Sequence, residues 1–180
     1  MADRFRTIDI PQISQRGIFF DANILLYLFW PTRSVFARTY SSLYRVLMNN
    51  NVQMYVDFIV ISEVVNRAIR IEYYNYTNTN TNGVNRNSFS FKNYRNCSAG
   101  QQTVLDVYNI IKSDIISNFQ VSGKCFDESD INHFLSLNLL DFSDKAIELI
   151  CMENNFVLLT NDSDFRNSSL DILSENTNLT

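Results

Sequence analysis

Two apolar runs in this chain end on acids. Gly17-Ile18-Phe19-Phe20 leads straight into Asp21-Ala22-Asn23, and Phe156-Val157-Leu158-Leu159-Thr160 into Asn161-Asp162-Ser163-Asp164-Phe165. An apolar strand followed at once by carboxylates sets them at the rim of a sheet, where water and metal ions can reach. Taken alone, Asp21 or Asp162 can equally cap a helix or a turn. Glu63 lies in the apolar helical stretch Phe58-Ile59-Val60-Ile61-Ser62-Glu63-Val64-Val65-Asn66-Arg67. A carboxylate there is costly unless it is paired or metal-bound, and Arg67 at i+4 offers an ordinary pair. Asp141 and Asp144 flank Ser143, where acids are favoured by the positive end of a helix dipole.

Asp21, Glu63, Asp144 and Asp162 gathered at one rim would repel one another. Two unit charges 4 Å apart do so by about 4 kcal/mol at an effective dielectric of 20. A hard divalent cation offsets that repulsion, and an all-carboxylate site with retained waters suits Mg²⁺ or Mn²⁺. Such an ion activates a water and steadies a phosphoryl transition state, so no serine or histidine triad is needed. The single histidine, His133, reads as a helix-surface residue, and Cys97, Cys125 and Cys151 show no CxxC spacing. A Cys/His zinc site therefore lacks ligands. Glycines fall only at 17, 83, 100 and 123, which excludes a P-loop and a dinucleotide fingerprint.

The elements that must position these acids alternate. Gly17–Phe20 is apolar on both faces, as a central parallel strand is. A helix over 23–30 stops at Pro31, and a second, over 34–48, carries the stripe Val35, Tyr40, Leu43, Tyr44 and Leu47. Residues 53–56 read as a strand, with Asp57 as N-cap of a helix over 58–72. The Asn/Thr/Ser-rich segment 75–100 reads as a long exposed loop. A helix over 101–118, an extended piece over 120–126, short helices over 128–137 and 143–154 (the latter capped by Ser143), the strand 156–160 and a final edge strand over 170–173 follow. Strand–helix alternation predicts one α/β domain with a parallel sheet.

The chain has 180 residues, enough for one substantial core, with 46% hydrophobic and 19% charged residues and a formal charge of −4. That balance excludes a surface built wholesale for nucleic acid but not a local basic patch. The odd cysteine count and the absence of an apolar leader predict a reducing, cytoplasmic setting, and no run approaches a membrane span.

The motifs together resemble those of PIN domains. Asp21-Ala22-Asn23 after a strand, Ser62-Glu63-Val64 in a helix, Asp144 opening a helix, and Thr160-Asn161-Asp162-Ser163-Asp164-Phe165 after a strand follow the family's order across residues 17–173. The resemblance implies a three-layer α/β/α fold around a five-stranded parallel sheet in the order 3-2-1-4-5, and cleavage of single-stranded or structured RNA with Mg²⁺ or Mn²⁺. It makes Asp21, Glu63, Asp144 and Asp162 the metal-binding acids and Asp164 an auxiliary ligand. Thr160 and Asn23 become hydrogen-bonding supports, and Asp141 replaces or assists Asp144. Many small members are toxins of the VapC type, which implies a protein antitoxin and self-association as candidate partnerships.

Two rivals bear on this. Asp162-Ser163-Asp164 also resembles the Asp-x-Asp of haloacid-dehalogenase-like phosphatases, but no lysine follows it here. The alternative function is a catalytically inactive PIN fold that binds RNA or serves as a scaffold; retention of all four acids favours the ribonuclease. For RNA contacts the sequence offers Arg38, Arg45, Arg67, Arg70, Arg86, Lys92 and Arg95, with Tyr73, Tyr74, Tyr76 and Tyr94 as stacking surfaces.

Overall fold

The computed structural model describes residues 2–32, 34–78 and 84–179. Its centre is a parallel sheet of six strands: β1 (Arg4–Phe5), β2 (Ile18–Phe20), β3 (Met54–Val56), β4 (Gln120–Val121), β5 (Val157–Leu159) and β6 (Ile172–Leu173), in the order β1-β6-β5-β2-β3-β4. Every pairing is parallel, with Phe19 opposite Tyr55 on one side and Leu158 on the other. All carboxyl ends therefore share one rim. β2, β5 and β6 are buried along their whole length, because their side chains are apolar on both faces.

Without β1, the order is the 3-2-1-4-5 of the expected five strands. The strand order is thus the one that the resemblance to PIN domains implies. The sixth strand is a correction: Arg4–Phe5 lies in a polar stretch with no strand signal, and it pairs with Ile172–Leu173. That removes β6 from the edge, where the sequence reading placed it. The Arg4 guanidinium fixes the junction by donating to the carbonyls of Leu170 (2.7 Å), Arg166 (3.0 Å) and Ser168 (3.0 Å).

The helices are α1 (Ile10–Ile13), α2 (Ala22–Phe29), α3 (Ala37–Asn49), α4 (Phe58–Asn78), α5 (Phe91–Asn96), α6 (Ser98–Ile110), α7 (Glu128–Phe134) and α8 (Phe142–Asn154). Asp57 caps α4 as expected, its Oδ1 accepting from the Val60 N–H at 2.8 Å. The long loop expected over 75–100 needs correction. Helix α4 runs on to Asn78, while α5 and the start of α6 fill 91–100. Residues 79–83 lie outside the described residues. Burial decides this, since Tyr73 and Tyr94 are core residues whose rings lie 5.7 Å apart. Neither can stack on a base from there. Gly100 permits the α5–α6 junction, because a Cβ at that position would lie 1.9 Å from the Tyr94 carbonyl oxygen. The helix expected over 101–118 closes with a π-helical turn at Ile111–Ile115.

Helix α8 also begins differently from expectation. Its N-cap is Asp141, whose Oδ1 accepts from the Asp144 N–H (2.9 Å) and from the Ser143 hydroxyl (2.8 Å). Ser143 therefore buttresses the cap and is not the cap itself. One turn on, buried Lys145 donates to the carbonyls of Phe134 and Ser136, tying α8 to the end of α7.

Candidate metal-binding carboxylate site

Asp21 stands where β2 ends and α2 begins, and it is only 5% exposed. The Thr160 hydroxyl and the Asn23 amide both donate to its Oδ2, at 2.5 and 2.6 Å. Thr160 follows β5, the neighbour of β2, so strand pairing itself brings the hydroxyl to the carboxylate. The same Thr160 oxygen accepts from the Asp162 N–H at 3.0 Å, and Asn23 Oδ1 accepts from the Asn161 N–H at 3.3 Å. Thr160 and Asn23 thus both hydrogen-bond to Asp21. Behind them, the Tyr40 hydroxyl donates to Asn161 Oδ1 at 2.9 Å.

The other acids arrive on separate elements: Glu63 from α4, Asp141 and Asp144 from the first turn of α8, and Asp162 from the turn after β5. Their charges act on one another. Burial raises the Asp21 carboxyl to about 6; the Thr160 hydrogen bond opposes the rise, and the charges of Glu63 and Asp162 add to it. Burial, followed by the charges of Asp141, Asp21, Asp162 and Glu63, raises half-buried Asp144 to about 7. The rim therefore holds two carboxyls that ionise at higher pH than an ordinary aspartate, Asp144 close to neutrality.

Three residues also show the bland roles weighed for them. Glu63 pairs with Arg67 at 2.8 Å, the i,i+4 bridge foreseen in the sequence. Asp162 caps the 3₁₀ turn Ser163–Asn167 by accepting from the Asp164 N–H at 3.0 Å. Asp164 itself is exposed and is not among the charges that raise Asp21 or Asp144. His133 is exposed on α7, as expected.

Among the described residues, no three Asp, Glu, His or Cys side chains are gathered as a ready-made metal cage. The donor set nevertheless fits a hard cation. It consists of carboxylate oxygens, with Cys151 buried and Cys97 and Cys125 outside the groups that act on the acids. Mg²⁺ in particular keeps several waters and takes only one or two protein carboxylates. Both side-chain donors to Asp21 use Oδ2, which keeps Oδ1 out of that network.

Lys145, the buried cation adjoining Asp144, carried no sequence signal beyond its position in a first helical turn. It holds the entry to α8, and hence Asp144, in place.

No family model matches the chain, and no curated protein matches it. Among solved structures, the chain is similar to a VapBC2 complex from Rickettsia felis bound to a DNA fragment from its promoter. That match has 14% identity and a TM-score of 0.46, and covers 87% of this chain and 96% of the other. At that identity no residue role is carried across. Among the described residues, no helix is long and apolar enough to cross a membrane.

Proposed function

We propose that the chain is a Mg²⁺- or Mn²⁺-dependent endoribonuclease that hydrolyses single-stranded RNA at this rim. The observation that carries the reading is the pair of buried, raised carboxyls Asp21 and Asp144, each acted on by the charges of Glu63 and Asp162, which come from other segments of the chain. A structural cluster would gain from neutralising partners, yet Arg67 on Glu63 is the one cation bridged to any of the four among the described residues.

Asp21, Asp144 and Asp162 would hold the ion, with Glu63 completing the negative field. When bound, the divalent cation supplies the charge that acidifies a water and steadies the phosphate oxygens as they gain charge. Thr160 and Asn23 hold Asp21 through Oδ2, and the carboxylate so fixed would be one of the groups that hold the ion. Asp141 keeps Asp144 at the helix start by accepting its backbone N–H. Asp164, exposed in the turn after β5, would serve as an auxiliary acid.

The test is cleavage of a labelled single-stranded RNA by the purified chain with Mn²⁺, with Mg²⁺ and with EDTA. Metal-dependent cutting that falls by orders of magnitude in Asp21→Asn, with an unchanged circular dichroism spectrum, is the expected result. Undiminished cutting by that variant would overturn the assignment to this rim, and no metal-dependent cutting by wild type would leave the non-catalytic RNA-binding reading.

A further inference from the structure

Between α2 and α4, directly beside the carboxylate rim, lies a cavity of about 310 Å³ lined by Asn23, Tyr27, Thr32, Arg67, Arg70 and Tyr74 among others. Its size is at the small end for ligand sites. Asn23 and Arg67 belong to both places: Asn23 donates to Asp21, and Arg67 bridges to Glu63. Two residues of the cavity lining are thus in direct contact with acids of the site.

We propose that this cavity is a nucleotide subsite, seating one unpaired nucleotide of the strand whose neighbouring phosphate lies at the carboxylates; this rests on the nuclease reading above. Three observations converge on that occupant. Arg70 makes no salt bridge among the described residues and is held with its guanidinium 4.9 Å from the Phe91 ring centroid. With Arg67, it puts two guanidinium groups at the edge of an otherwise acidic rim, where a phosphodiester needs a counter-charge. Tyr27 and Tyr74 line the cavity as well; one face of each ring is taken, by Tyr40 and by the Arg86 guanidinium, which leaves the opposite face for a base of any sequence.

The third observation is the Thr32 hydroxyl. It is the one buried side-chain polar atom without a hydrogen-bond partner among the described residues, and it belongs to a residue that lines this cavity. Buried hydroxyls are normally satisfied, so an unsatisfied one on a residue of the cavity wall is a contact that a turn of the side chain toward an occupant would complete. A base edge, a ribose hydroxyl or a phosphate oxygen each supplies the missing partner.

The test is fluorescence anisotropy of a labelled single-stranded RNA titrated with the full chain in Ca²⁺, for wild type, Thr32→Val, Arg70→Met and Tyr74→Ala. Each variant should raise Kd by at least about fivefold, the low end of what loss of one base–aromatic stack does. Thr32→Val is the sharpest arm. Replacing an unpaired buried hydroxyl by a methyl should leave the melting temperature unchanged or higher, so weaker binding with equal or better stability cannot come from misfolding. Unchanged Kd in all three variants overturns the subsite, even where wild type cuts RNA with Mn²⁺. Weakened binding in a chain that does not cut with Mn²⁺ supports the subsite and removes the nuclease reading. The same titration with single-stranded DNA distinguishes the strand types. A Thr32→Val penalty confined to RNA places the hydroxyl on the ribose, and a penalty on both places it on base or phosphate.

Discussion

Replacing Asp21 by asparagine should make the metal-free protein more stable. Asparagine keeps what the fold uses: a carbonyl oxygen at the Oδ2 position still accepts from Thr160 and Asn23, and asparagine is as good an N-cap as aspartate. It removes what the fold opposes, a buried negative charge facing Glu63 and Asp162. The wild-type carboxyl is raised from 3.8 to about 6. A raised carboxyl favours the folded state fully below pH 4, and this contribution is lost as the pH climbs through about 6. At pH 8 the loss is ~3 kcal/mol, taking 1.36 kcal/mol per tenfold change in proton affinity. If relaxation of the rim absorbs half of it, ~1.5 kcal/mol remains, roughly 3–6 °C for a domain of this size. Thermal melts in EDTA at pH 8 should therefore place Asp21→Asn above wild type, and melts near pH 4 should bring the two together. Adding Mn²⁺ should raise wild type by mass action and move the variant much less. A variant that melts below wild type in EDTA at pH 8 would show that the carboxylate stabilises the fold, and the charge-strain argument would fail.

Cleavage at limiting Mn²⁺ should rise with pH across the interval from about 6 to about 7 as Asp21 and Asp144 ionise, and a flat rate profile there would separate these groups from catalysis. Lys145→Met should lower stability by ~2–4 kcal/mol in a denaturant titration, because it strands the buried carbonyls of Phe134 and Ser136. Gly100→Ala should lower it by about 1–3 kcal/mol or more, since the added methyl meets a rigid backbone carbonyl and not a movable side chain. If the nuclease acts on cellular RNA, expressing the wild-type chain alone should slow growth and the Asp162→Asn form should not; equal colony counts would argue against a toxin.

The legible parts of this fold are those whose cause is local. An apolar run ending on Asp21 or at Thr160 declares a central strand and a rim position, and Asp57 before an apolar helix declares its cap. Asp21, Asp144 and Asp162 could be named because each sits at or near such a boundary, and Glu63 because it interrupts an apolar helical stretch. The 75–100 region was misread because its helices owe little to propensity: Asn and Thr are poor helix formers, and a buried aromatic cluster around Tyr73, Tyr76 and Tyr94 holds them. Choosing Ser143 over Asp141 as the cap of α8 was a one-turn ambiguity between two good capping residues. Strand β1 and the Lys145 anchor depend on partners distant in sequence or on carbonyl positions, which leave no pattern. The cavity between α2 and α4 was half visible: Arg67, Arg70 and Tyr74 were singled out, but Tyr27 and Thr32 enter only through packing.

The pairing of Arg4–Phe5 with Ile172–Leu173 also bears on how the protein comes into being. These segments lie 168 residues apart, so one ladder waits for nearly the whole chain. At ~5–20 residues per second, the first strand is made about 8–34 s before its partner emerges from the ribosome. Until they meet, the outer side of Ile172–Leu173 is an open row of backbone donors and acceptors, a template for a neighbouring chain. The Ile172 and Ser174 N–H groups, donating to the Asp3 and Phe5 carbonyls, close that row once docking occurs, and the Arg4 guanidinium on three carbonyls of the preceding loop holds it shut. Recombinant yield should therefore respond to synthesis rate and temperature more than the buried core alone would suggest, with insoluble material arising from chains caught before the latch closes.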